Sequence, residues 1–110
     1  MEELVKGDVV VIPFPFSDLS LTKKRPALVV ANLAGDDIIL AQITSAERFD
    51  EYSIPLSPED FRMGGLPRPS KIRPNKLFTA DKSIISYKIG SVTEIKFREV
   101  ADKLVNIFKA

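Results

Sequence analysis

Four polar residues of this chain stand at or within strand-like runs. Arg25 precedes Pro26 and the run Ala27-Leu28-Val29-Val30, Thr44 and Ser45 follow Ala41-Gln42-Ile43, and Arg73 lies within the run from Ser70 to Leu77. A guanidinium anchored by buried backbone presents a planar, permanently charged fork to a ligand, and a hydroxyl beside it adds one directional donor. Taken singly, Arg25 can merely start a strand, and Thr44-Ser45 can bond local backbone at a strand end. Taken together, they suit a phosphodiester: the guanidinium forks onto two phosphate oxygens and the hydroxyl donates a third bond. RNA asks least of such a site, because its own 2′-hydroxyl is the nucleophile. The protein has only to align that hydroxyl, stabilise the charge on the transition state and protonate the leaving 5′-oxygen. An arginine hardly ever loses its proton, so Arg25 reads as stabiliser and proton donor rather than base.

Composition narrows the alternatives. The chain has no histidine and no cysteine, which removes the commonest metal ligand, the commonest general base and all thiolate chemistry. Its acids are scattered without ligand spacing, and Asp36-Asp37 reads more simply as a turn, so the expectation is no metal and no cofactor. Neither a phosphate-cradling glycine loop nor a nucleophile elbow is present. The formal net charge is only +1, but its distribution is uneven. Lys23, Lys24 and Arg25 form one basic cluster, and Arg62, Arg68, Lys71, Arg73 and Lys76 follow one another between Phe61 and Ala80 with no acid among them. Such a run is either a solvated loop or a track for the phosphates of a single strand, with Phe14, Phe16 or Phe78 offered for stacking.

The elements that must position these groups are short. Val9 to Phe16 is a continuous apolar run that reads as a buried strand broken up at its end by Pro13 and Pro15. Residues 17–24 read as a long polar loop, Ala27 to Leu33 as the second strand, Ala34-Gly35-Asp36-Asp37 as a turn and Ile38 to Ile43 as the third strand. If those two strands pair across Gly35, Arg25 and Thr44 stand at the same open end of the hairpin. Glu51 to Leu56 alternates as an edge strand, and Ser57-Pro58-Glu59-Asp60 is a single capped helical turn. Met63 to Pro69 is rich in chain breakers, Ser70 to Leu77 is a strand, and a short element around Tyr87 ends at Gly90. Glu94 to Phe108 is a helix, with Phe97, Val100, Ala101, Leu104, Ile107 and Phe108 at three-and-four spacing and Thr93 or Ser91 as cap.

Five or so strands and one terminal helix make a small barrel, mainly β, in a single domain over residues 1–110. No apolar run approaches the length of a membrane span, and the N-terminal residues lack the pattern of a signal peptide. A cytoplasmic protein with no membrane partner is expected.

The ordered set of these pieces resembles the MazF/PemK toxin family. The resemblance is carried by Gly7-Asp8-Val9-Val10, Pro13-Phe14-Pro15-Phe16, Lys24-Arg25-Pro26-Ala27-Leu28-Val29-Val30, Ala41-Gln42-Ile43-Thr44-Ser45, Ser70-Lys71-Ile72-Arg73, Lys76-Leu77-Phe78-Thr79-Ala80-Asp81 and Ile89-Gly90. It implies an SH3-like β-barrel with a C-terminal α-helix, acting as a homodimeric toxin of a type II toxin-antitoxin system. The implied activity is metal-independent, sequence-specific cleavage of single-stranded RNA, leaving 2′,3′-cyclic phosphate and 5′-hydroxyl ends, with neutralisation by a cognate antitoxin. Catalytic roles carry over to Arg25 and Thr44, and RNA binding to Lys23, Lys24, Ser45, Arg68, Lys71, Arg73 and Asn75. Some members place an acid where this chain has Asn75, and some use a histidine in the first loop, which this chain lacks. The competing reading is a non-catalytic module of the same fold that binds RNA or protein, or a gyrase inhibitor like the related CcdB-type toxins.

Overall fold

The computed structural model describes residues 3–15, 22–47 and 50–110. Its seven strands form one antiparallel sheet: β1 (Asp8–Pro15), β2 (Thr22–Asn32), β3 (Asp37–Thr44), β4 (Ile54–Leu56), β5 (Phe61–Gly64), β6 (Ser70–Asp81) and β7 (Tyr87–Val92), in the spatial order β4-β6-β3-β2-β1-β7-β5. The C-terminal helix α1 spans Glu94–Lys109. Register shifts occur at Val30 in β2, Ile89 in β7 and Arg62 in β5, and three residues of β6, Pro74 to Lys76, have no partner on β3. Extra residues of this kind bend a strand and raise its twist, and they curl this sheet into a half-barrel.

The central strands are continuous apolar runs because both faces of the sheet are covered. On one face Val9, Leu28, Ala41, Ile43 and Ile72 pack with Val100 of α1, joined by the half-buried Phe97 and Leu104. On the other, Val10, Ile12, Ala27, Val29, Ile38 and Leu40 pack under Leu4 and Ile85. Thr93 caps α1 by accepting the Lys96 N–H at 3.2 Å. The anticipated apolar face of the helix holds at Val100 but not at its end, where Phe108 is 71% exposed. A lysine takes part in the packing instead: Lys96 is buried, and its Nζ donates to the Pro55 carbonyl at 3.0 Å and to Glu99 at 2.8 Å. Among the described residues no helix is long and apolar enough to cross a membrane.

Several sequence expectations change. The described residues hold seven strands rather than five or so: β5 forms at Phe61–Gly64, β4 keeps only Ile54–Leu56 of the expected Glu51–Leu56, and β6 runs on past Leu77 to Asp81 because β3 pairs with it that far. Pro13 and Pro15 do not break β1, which pairs with β2 as far as Pro15–Thr22. Its pairing with β7 ends at Val11–Tyr87, where the Val11 carbonyl accepts the Ser86 N–H at 2.9 Å. Residues 13 and 15 turn the same backbone side outward as Val11, toward the edge that β7 has vacated, so their missing N–H groups cost no ladder bond. For the same reason Lys23, Lys24 and Arg25 are not loop residues. They lie within β2, opposite Phe14, Pro13 and Ile12, because β1 offers them a partner strand. Of the loop expected at 17–24, residues 17–21 lie outside the described residues.

Candidate nucleic-acid cleft

The hairpin of β2 and β3 turns at Gly35, whose φ of 80° is one that glycine adopts without strain. Its ladder runs outward only as far as Ala27–Gln42. Continuing that register by two residues puts Arg25 opposite Thr44. Beyond the last pair the strands separate around a cavity of about 350 Å³ that Arg25 and Thr44 both line, with Ser45, Lys23, Lys24 and Arg68. The sequence expectation that Arg25 and Thr44 meet over one site therefore has a geometric basis: they share this cavity.

The cavity is strongly cationic. Lys23, Lys24, Arg25 and Arg68 line it, and among the described residues no acid does. Thr44 Oγ1 accepts the Ala46 N–H at 3.1 Å, which ties the hydroxyl to local backbone, as one of its two readings anticipated. That bond uses an oxygen lone pair and leaves the hydroxyl proton to donate. Arg68 enters from the segment between β5 and β6, where the Ser70 hydroxyl donates to its carbonyl at 3.0 Å. Leu66 and Pro67 of the same segment make the apolar wall.

The remaining candidates lie around this centre. Lys71 stands opposite Thr44 on β6 and lines an adjoining cavity of about 510 Å³, which shares Ser45, Arg68 and Ser70 with the first. Arg73 reaches neither. It lines a small cavity with Thr44, Asp50 and Ser53, and its guanidinium donates to Asp50 at 3.0 Å. The Tyr52 N–H, at 2.9 Å, and the Arg73 guanidinium together hold the Asp50 carboxyl below the usual carboxylate range. Asn75 is exposed within the unpaired stretch of β6 and does not line the Arg25 cavity.

Of the aromatics offered for stacking, Phe78 is half-buried against the core. The Phe14 side chain and all of Phe16 lie outside the described residues. Among the described residues the aromatic that lines the cavity is Tyr87, at the start of β7, 50% exposed and with the Lys24 ammonium 5.7 Å from its ring centroid. Sequence reading passed over it because its place depends on β7 pairing with β1, a contact between distant segments. Its one local signal was an aromatic set between the polar Ser86 and Lys88. Asp50 gave no local signal at all. Among the described residues no three acids gather as a metal-binding group.

A curled antiparallel sheet closed by one helix defines a small β-protein with a cationic cleft where the strands of its central hairpin part. The chain belongs to the family of PemK-like, MazF-like toxins of type II toxin-antitoxin systems, whose pattern it matches over residues 5–108. Solved structures share its fold. A MazE–MazF crystal structure from Deinococcus radiodurans superposes with a TM-score of 0.79 at 16% identity, over 99% of this chain and 98% of that one. MazF from the same organism gives 0.77 at 17% identity, over 100% of both chains. An endoribonuclease in complex with its cognate antitoxin, from a mycobacterial species, gives 0.75 at 18% identity, over 97% and 96%. At such identities the likeness is one of fold. No curated protein matches the chain.

Proposed function

We propose that this toxin is a metal-independent endoribonuclease that cuts single-stranded RNA at the Arg25–Thr44 cavity. The observation that carries the reading is the convergence of Arg25, Thr44 and Ser45 on one cavity lined by three further cations, Lys23, Lys24 and Arg68. Donors and positive charge set in advance around an anionic centre stabilise the charge that develops on phosphorus without reorganising during the reaction. Arg25 binds two non-bridging oxygens and Thr44 donates to one of them. The substrate's 2′-oxygen attacks phosphorus as its proton passes to water, the bond to the 5′-oxygen breaks, and that oxygen takes a proton back from water. The products are a 2′,3′-cyclic phosphate and a 5′-hydroxyl.

Lys71 and Arg68 extend the basic surface beyond the centre and hold flanking phosphates. Arg73 gives one of its five donors to Asp50 and keeps the rest for the strand. Residues 1–110 act as one cytoplasmic domain and work as a homodimer. The antitoxin neutralises it by laying an acidic or amphipathic segment across the same cleft, competing with RNA through like charge.

The test is incubation of a long single-stranded RNA with purified protein in EDTA. Cuts at a short recurring sequence support the reading, and intact RNA with a folded protein overturns it. A neutralising antitoxin that protects the RNA without contacting Arg25, Arg68 or Lys71 overturns the competition model.

A further inference from the structure

Another cavity adjoins the site. It measures about 470 Å³ and is lined by Leu4, Met63, Gly64 and residues 85–90, which lead into and begin β7. It meets the Arg25 cavity along Tyr87 and Ile89, which line both. Its lining mixes the apolar Leu4, Met63, Ile85 and Ile89 with the exposed Ser86 and with Lys88, whose ammonium lies 3.3 Å from the buried Asp8 carboxylate, whereas the cavity that shares Ser45 and Arg68 with the site carries Lys71. An exposed aromatic ring beside a cationic centre matches a nucleotide, which has a flat apolar face and an anionic linkage.

We infer that Tyr87 is a specificity-determining residue: a base flanking the scissile phosphate stacks on its ring and enters the Leu4–Met63–Ser86 cavity. The inference rests on the nuclease reading and adds to it where one base is held. Tyr87 is half-exposed although it sits at the junction of two cavities, and an aromatic ring open to a basic groove is the usual platform for an unpaired base. The Lys24 ammonium over the ring, at 5.7 Å, orients it and stands ready for the phosphate of the stacked nucleotide. Only β1 separates β7 from β2, so the strands that carry Tyr87 and Arg25 lie about 10 Å apart, and both residues line the same cavity. The backbones of β5 and β7 pack closely where they border the cavity. A Cβ on Gly64 would run into the Ile89 carbonyl, and one on Gly90 would lie 2.7 Å from the Met63 carbonyl.

The test uses the chain's own fluorescence. It has two tyrosines and no tryptophan, so Tyr52→Phe leaves Tyr87 as the sole strong fluorophore. The probe is a short single-stranded RNA spanning a mapped cut, with 2′-deoxyribose at the cleaved nucleotide. Quenching of Tyr87 on binding is expected. Tyr87→Ala should bind it about tenfold to a hundredfold more weakly and relax the cut sequence at one flanking position, while Tyr87→Phe behaves as wild type. An abasic site at that position should weaken binding by the wild type and leave Tyr87→Ala unaffected. A wild type that cuts, with fluorescence unchanged by the probe and Tyr87→Ala cutting at the same sites with the same affinity, overturns the inference and leaves the nuclease reading standing. A folded wild type that cuts no RNA overturns both.

Discussion

Arg25 and Thr44 divide the work according to what each side chain can donate. The guanidinium offers a rigid planar fork, so Arg25→Lys, which keeps the charge but loses the fork, should retain only part of the cleavage rate. Arg25→Ala should lose about a hundredfold to a thousandfold with the fold intact, as measured by single-turnover cleavage alongside circular dichroism. Thr44 contributes one proton donor. Thr44→Ser should cleave nearly as well as wild type, whereas the isosteric Thr44→Val should fall by about tenfold or more. Equal rates for Ser and Val would show that the methyl group and not the hydroxyl matters. Asp50 adds a pH dependence. The Tyr52 N–H, with Arg73, lowers its pKa in the folded chain from the ordinary 3.8, so its contribution to stability is present above that value and is lost as pH falls through the lowered one. The urea midpoints of wild type and Asp50→Asn should therefore differ at neutral pH and converge in acid. A difference that stays constant from neutral pH into acid contradicts this assignment.

Two contacts between distant elements hold the cleft in shape. Asp8 opens β1 and is fully buried. Its carboxylate accepts the Ser91 hydroxyl at 2.7 Å and the Val5 N–H at 2.9 Å, and Lys88 lies 3.3 Å away. These bonds tie β1 to β7, the strand that carries Tyr87. Asp8→Ala should cost about 2–4 kcal/mol in equilibrium unfolding, because three donors lose their acceptor. The second contact is the close approach of β5 and β7 at Gly64 and Gly90. Gly90→Ala pushes a methyl against backbone that cannot yield and should cost about 3 kcal/mol. An unchanged unfolding midpoint in either variant would show that the β7 edge does not depend on these contacts.

The half-barrel with its helix was legible in the sequence where neighbours in the chain decide the structure. The β2–β3 hairpin at Gly35, the capped turn at Ser57-Pro58 and the helix behind Thr93 are all set by local residues, and the hairpin alone suffices to bring Arg25 and Thr44 together. What local sequence did not show was decided by distant pairing. The basic run 23–25 is strand because β1 extends opposite it, the prolines are tolerated because β7 stops short, and Tyr87 lines the cleft because β7 returns beside β1. The ion pair of Arg73 with Asp50 joins residues 23 positions apart, and neither carries a mark of the other. The chain matches the toxin family over residues 5–108, and the cleft is the place where we propose that RNA and antitoxin compete. The measurement that bears most directly on this account is the chemistry of the RNA ends. Fragments made by the wild type in EDTA, and absent with Arg25→Ala, should carry a 2′,3′-cyclic phosphate and a 5′-hydroxyl, whereas 3′-hydroxyl and 5′-phosphate ends, or the same fragments from Arg25→Ala, would contradict attack by the 2′-oxygen at this site.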